Sequence, residues 1–157
     1  MVGYSVIKRG LRGLLFLYLL FVLLPVQAGY PETQGKGQGE APALSVSPTR
    51  HDFGILNVPV TSKSRVFTIS NSGTADLVVS AITVSDAANY SLEAEAGQSP
   101  CGSLTPRVPA GGQCTFAVTF FPKSEGILDA EITIDSNDPV TPRMRIPMMG
   151  FGILCRC

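Results

Sequence analysis

The sequence predicts an all-β protein built as a two-layer, antiparallel sandwich, and three observations carry that expectation. Past the first 28 residues, short runs rich in Val, Ile, Thr and Phe recur, each bounded by Pro, Gly or Asn-containing turns. No stretch beyond that point repeats its apolar residues with the period of a helix. The run Gln113 to Pro122 (QCTFAVTFFP) is β-branched or aromatic almost throughout. It puts Phe116, Val118 and Phe120 on one face and Thr115, Ala117, Thr119 and Phe121 on the other. One face wholly apolar and the other half so describe an interior strand, which needs a facing sheet to cover it.

The other elements follow in chain order. Leu44 to Ser47 is a strand stopped by Pro48, and His51 to Leu56 continues it after a kink until Pro59 ends the pairing. Ser64 to Asn71 alternates, with Phe67 and Ile69 on one face and Thr68 and Ser70 on the other. Asn71-Ser72-Gly73-Thr74 is a turn by composition, and Leu77 to Val84 is the next strand. Ser85 to Gly112 is looser, with one short strand over Tyr90 to Glu93. After the central run, Ser124-Glu125-Gly126 turns the chain into a strand over Ile127 to Asp135, with Leu128, Ala130, Ile132 and Ile134 inward. Ser136-Asn137-Asp138-Pro139 is a further turn. Arg143 to Met149 closes the domain, burying Met144, Ile146 and Met148 and turning Arg143 and Arg145 to water. The expected core therefore contains Phe67, Ile69, Phe116, Val118, Phe120, Ile132 and Ile134.

The chain of 157 residues has room for one such domain after processing. Its N-terminus has the layout of a secretory signal: a basic region ending at Arg12, an apolar run Leu14 to Leu24, then Pro25 and small residues for cleavage after Ala28. That apolar run falls short of the ~18–20 residues that span a bilayer, which places cleavage ahead of retention as an anchor. Residues 1–28 are thus read as signal, 29–42 (GYPETQGKGQGEAP) as a flexible linker, 43–152 as the sandwich and 153–157 as a short Cys-containing tail. The expected location is outside the cytoplasm: periplasm, cell surface or medium. Membrane contact beyond export is expected only if the signal stays uncleaved.

Without Lys8, Arg9 and Arg12 the remainder holds 9 basic and 12 acidic side chains, a net charge of −3. A mildly acidic body argues against nucleic acid or anionic lipid as a partner. Gly35, Gly37 and Gly39 lack the preceding strand, following helix and Gly-Lys-Ser/Thr of a phosphate loop.

Export also governs the four cysteines, because thiols oxidise in pairs outside the reducing cytoplasm. Cys101 and Cys114 flank a Gly/Pro-rich segment able to bend back on itself. A bridge there would stabilise the fold by roughly 3 kcal/mol on the chain-entropy model. Cys155 and Cys157 sit two apart and would point the same way on a strand. They cannot bond each other without strain, which makes them intermolecular or free thiols.

The opening LSVSPTRHDFGILNV, the hairpin RVFTISNSGTADLVVSAITV, the strand CTFAVTFFP and the closing ITIDSNDPVTPRMRIPMMGFG, taken in this order and spacing, resemble a known family. It is the ASH (abnormal spindle and hydin type) immunoglobulin-like domains, relatives of the major sperm protein fold, whose exported bacterial copies are labelled choice-of-anchor D. The resemblance covers Leu44 to Gly152. It implies an immunoglobulin-like Greek-key sandwich of about seven to eight strands that binds or spaces and does not catalyse. It also implies a disulfide between Cys101 and Cys114, which match positions bridged in secreted copies. One domain stands here where such copies usually come in strings.

The residues that could carry chemistry have plainer readings. His51 is the only histidine. It adjoins Asp52 on a strand, where neighbours point to opposite faces, and no Gly-x-Ser-x-Gly elbow completes a triad. Asp52-Phe53-Gly54 matches a kinase signature by letters only, and Phe53 is better read as a core plug. Asp135, Asn137 and Asp138 offer oxygens to Ca²⁺ but lack a closing Glu, and Cys155 with Cys157 lacks two zinc ligands. Asn89-Tyr90-Ser91 is a glycosylation sequon, meaningful only in a eukaryotic secretory path. No catalytic, metal or cofactor site is expected.

Three functions follow in order: a non-catalytic exported module that engages a protein partner or spaces surface components through a sheet edge or loops; a disulfide-linked oligomer or tethered envelope subunit using Cys155 and Cys157; and, last, a hydrolase.

Overall fold

The computed structural model describes residues 39–62 and 64–154. The signal, most of the linker, and Cys155 and Cys157 lie outside the described residues. Among those described, every regular element is a strand, and the strands form two sheets. One sheet has the order β1 (Leu44–Ser47), β3 (Arg65–Asn71), β7 (Gln113–Phe120), β5 (Tyr90–Glu93). The other has the order β2 (His51–Val58), β10 (Arg143–Leu154), β9 (Ala130–Ser136), β4 (Leu77–Val84), β6 (Arg107–Val108), with β8 (Gly126–Ile127) also paired to β10. Among the described residues no helix is long and apolar enough to cross a membrane.

β7 lies between β3 and β5, and both its neighbours match it with aromatic rings. Phe116 faces Phe67 across the β3 ladder with stacked rings 5.5 Å apart, and Phe120 faces Tyr90 across the β5 ladder at 4.8 Å. Such cross-strand pairs set register as well as burying area. From the opposite layer Ile132, Ile134, Ile146 and Met148 close the core. The loop before β7 bonds the N–H and C=O of Thr115 through Ser99 and Cys101, extending the sheet beside it, and the Thr115 hydroxyl on the second face donates to the Ala96 carbonyl of the same loop at 2.7 Å.

Four features depart from the simple alternation. The His51 run does not continue β1; it crosses to the other layer and pairs with β10 in parallel. Hairpin neighbours must run antiparallel, but no hairpin joins the second strand to the last, so nothing local dictates direction there. Secondly, Ile127 to Asp135 is split into β8 and β9 around Leu128 and Asp129. Leu128 donates its N–H to the Gly150 carbonyl at 2.8 Å and accepts from the Tyr90 hydroxyl at 2.7 Å, which takes it out of the ladder. Thirdly, the loose segment holds β6, too short for composition to mark, which pairs with Leu77 and Val78 and buries Val108. Lastly, β10 runs on through Gly150 and Gly152 to Leu154, glycines being poor strand signals.

Candidate functional site

The residues singled out from the sequence divide between interior and surface. Phe67, Ile69, Phe116, Val118, Phe120, Ile132 and Ile134 are fully buried, the first five in one sheet and the last two in the other. Cys101 and Cys114 are bonded, with Cα atoms 4.9 Å apart, tying the loop to the core side of β7 opposite Ile69.

The polar candidates are engaged in holding the fold. His51 lies edge-on to Phe53 at 4.6 Å. Burial, assisted by Arg65 and opposed by Asp52, pushes its imidazole below the ordinary value and favours the neutral form. Asp138 is buried and accepts backbone N–H bonds from Leu44, Val140 and Thr141 at 2.7, 2.8 and 3.1 Å. Desolvation works against its charge, but those donors outweigh it and hold the carboxyl below its usual range. Asp135 grips Arg143 in a two-point ion pair, and Asn137 bonds Val78 and Asp76. Asn89 of the sequon is buried, its amide donating to Asp86 and accepting from the Lys123 N–H.

What alternation did not reveal is a groove at one end of the six-stranded sheet. Met149 pairs with Asp52 but Phe151 pairs with Ile55, so β2 carries one extra residue against β10. Gly54, at φ +73°, absorbs it, and the Asp52 carboxylate caps the Gly54 N–H at 2.7 Å. Phe53 and Leu56, three apart, then both pack on the core, and Ile55 turns outward. Beside it β10 brings its backbone so close to the core that a Cβ on Gly150 would sit 2.6 Å from the Phe120 ring and 2.7 Å from the Tyr90 hydroxyl. Burial first, then the charges of Asp129, Asp86 and Asp52, raise that hydroxyl's pKa well above ordinary, keeping it a proton donor.

The outer surface so formed is divided. Along β10 the outward residues run Arg143, Arg145, Pro147, Met149, Phe151. The first two are neutralised by Asp135 and Glu131 on β9. The last two join Ile55 and Ile127 around an open groove of about 290 Å³ that Asp52 and Asp129 also line. Ile127 is 74% exposed, Ile55 67% and Met149 47%. A signal was present in the sequence: Ile127 and Met149 both take the outward parity of their runs. The arrangement offers apolar area with carboxylates beside it.

Solved structures similar to this one share its sandwich. A protein of unknown function from Porphyromonas gingivalis W83 aligns with TM-score 0.57 at 20% identity, over 71% of this chain and 47% of that one, so this chain spans about half its length. The ASH/PapD-like domain 7 of human CEP192 aligns with TM-score 0.54 at 12% identity, over 74% of this chain and 89% of that one. SSP-19 of Caenorhabditis elegans, like the MSP-domain proteins, gives 0.50 at 13%, over 69% and 99%. At these identities the likeness concerns the fold alone. No curated protein matches the chain. Residues 42–150 match the family described as HYDIN/CFA65/VesB-like, Ig-like domain, and the chain belongs to that family.

Proposed function

We propose that this chain is an exported, non-catalytic module of the choice-of-anchor D kind that engages a protein partner. One observation carries the reading: three strongly exposed apolar side chains, Ile55, Ile127 and Met149, meet in one groove instead of being dispersed. The groups with acid–base potential support it from the other side, since His51, Asp138 and Tyr90 are spent on packing and hydrogen bonds. The Cys101–Cys114 bridge supports a compartment outside the reducing cytoplasm. Affinity capture with the tagged chain from the envelope fraction of its own cells tests the reading. A discrete protein partner is expected; recovery of monomer alone overturns it. Hydrolase activity lost in His51→Ala would replace it with an enzyme.

A second reading has its own observation. β10 carries the chain out to Leu154, half exposed, immediately before Cys155. Cys155 and Cys157, which follow in the sequence and lie outside the described residues, supply the thiols for a link between chains. A non-reducing gel decides it: a disulfide-linked band lost in Cys155→Ser/Cys157→Ser supports a linked oligomer, and a band unchanged by both substitutions removes it.

A further inference from the structure

The acids of the groove differ from those elsewhere on the same sheet. Its floor is locked by the bulge at Gly54, the Leu128–Gly150 hydrogen bond and the Tyr90 hydroxyl on the Leu128 carbonyl. Asp135 and Glu131 have arginines of this chain as partners. Asp52 and Asp129 each give one oxygen to a backbone N–H, of Gly54 and Gly150, and neither has an ion pair among the described residues. An apolar hollow flanked by two uncompensated carboxylates complements an apolar side chain flanked by cations.

We propose that the groove receives an extended peptide segment of a partner protein in which a bulky apolar side chain lies next to lysine or arginine. The apolar residue covers Ile55, Ile127, Met149 and Phe151, and the cations meet Asp52 and Asp129. This rests on the reading of the chain as a binding module and adds the place and the chemistry. The ion pairs lie at the rim, where they steer and select more than they add affinity. A short peptide ordered only on binding holds weakly, in about the millimolar range.

The test uses the full chain, ¹⁵N-labelled, titrated with acetyl-Gly-Lys-Phe-Lys-Gly-amide. Saturable shifts are expected at Asp52 to Ile55, Ile127 to Asp129 and Met149 to Phe151. The Glu-Phe-Glu and Lys-Gly-Lys versions of the peptide should each bind about tenfold more weakly, the former by losing two exposed ion pairs. Asp52→Asn/Asp129→Asn should erase the preference for lysine over glutamate, and Ile127→Ser, at an exposed position, should weaken the Lys-Phe-Lys peptide without unfolding the chain. No shifts, shifts elsewhere, or equal shifts from the acidic peptide overturn the proposal. So does concentration-dependent broadening of the same residues without peptide, which assigns the groove to a second copy. Failure here is separable from failure of the module reading: a partner captured equally by wild type and Ile127→Ser removes the groove and keeps the module.

Discussion

Asn71 is 1% exposed and fills every hydrogen-bonding site of its amide: it donates to the Ala75 and Val108 carbonyls and accepts from the Ala43 and Gly73 N–H groups. One side chain thus joins the start of β1, the β3–β4 turn and β6. From composition alone it is an ordinary turn asparagine, since nothing local announces partners so far along the chain. Asn71→Ala should lower the unfolding free energy by about 2–3 kcal/mol in urea, because it strands one buried partner, the Val108 carbonyl, and three half-buried ones. Asp138 ties β1 to the β9–β10 turn in the same manner. Its carboxyl pKa falls on folding, so its stabilisation is complete above the ordinary value of 3.8 and is lost as pH drops through the lower folded value. Asp138→Asn should cost about 1–2 kcal/mol at neutral pH, and the gap to wild type should close in melts run progressively below that value.

Among the elements, β10 bears the most constraint, because its glycines permit contact that no side chain would. Gly150→Ala should destabilise by about 1–3 kcal/mol in chemical denaturation, as the new methyl displaces Phe120 or Tyr90. Tyr90→Phe keeps the ring stack on Phe120 and removes only the hydroxyl bond to Leu128. A loss of about 1 kcal/mol is expected, with faster amide exchange at Leu128 and Gly150 than elsewhere in the sheet. Strands with strict alternation, such as β3 and β7, were legible because burial on one face imposes a period of two. The β2 bulge and the β8–β9 break were not, since each is one backbone irregularity answered by a partner in a distant strand.

At the scale of the molecule, the Cys101–Cys114 bridge pins the longest irregular segment among the described residues to β7. Cys101→Ser/Cys114→Ser, or reduction, should lower stability by about 3 kcal/mol on the chain-entropy model, read from thermal or urea unfolding. A variant with undiminished stability would mean that the loop is held by its hydrogen bonds to Thr115 alone. The layered architecture and the identity of the buried residues could be inferred from local pattern, because a strand's two faces are written in consecutive residues. Which strands lie side by side is not written there. The parallel β2–β10 contact and the groove beside it join residues from opposite ends of the domain, Asp52 against Met149 and Ile55 against Phe151. Only closure of the sandwich, which minimises exposed apolar area over all strands at once, brings those residues together and leaves two carboxylates there without an ion pair among the described residues.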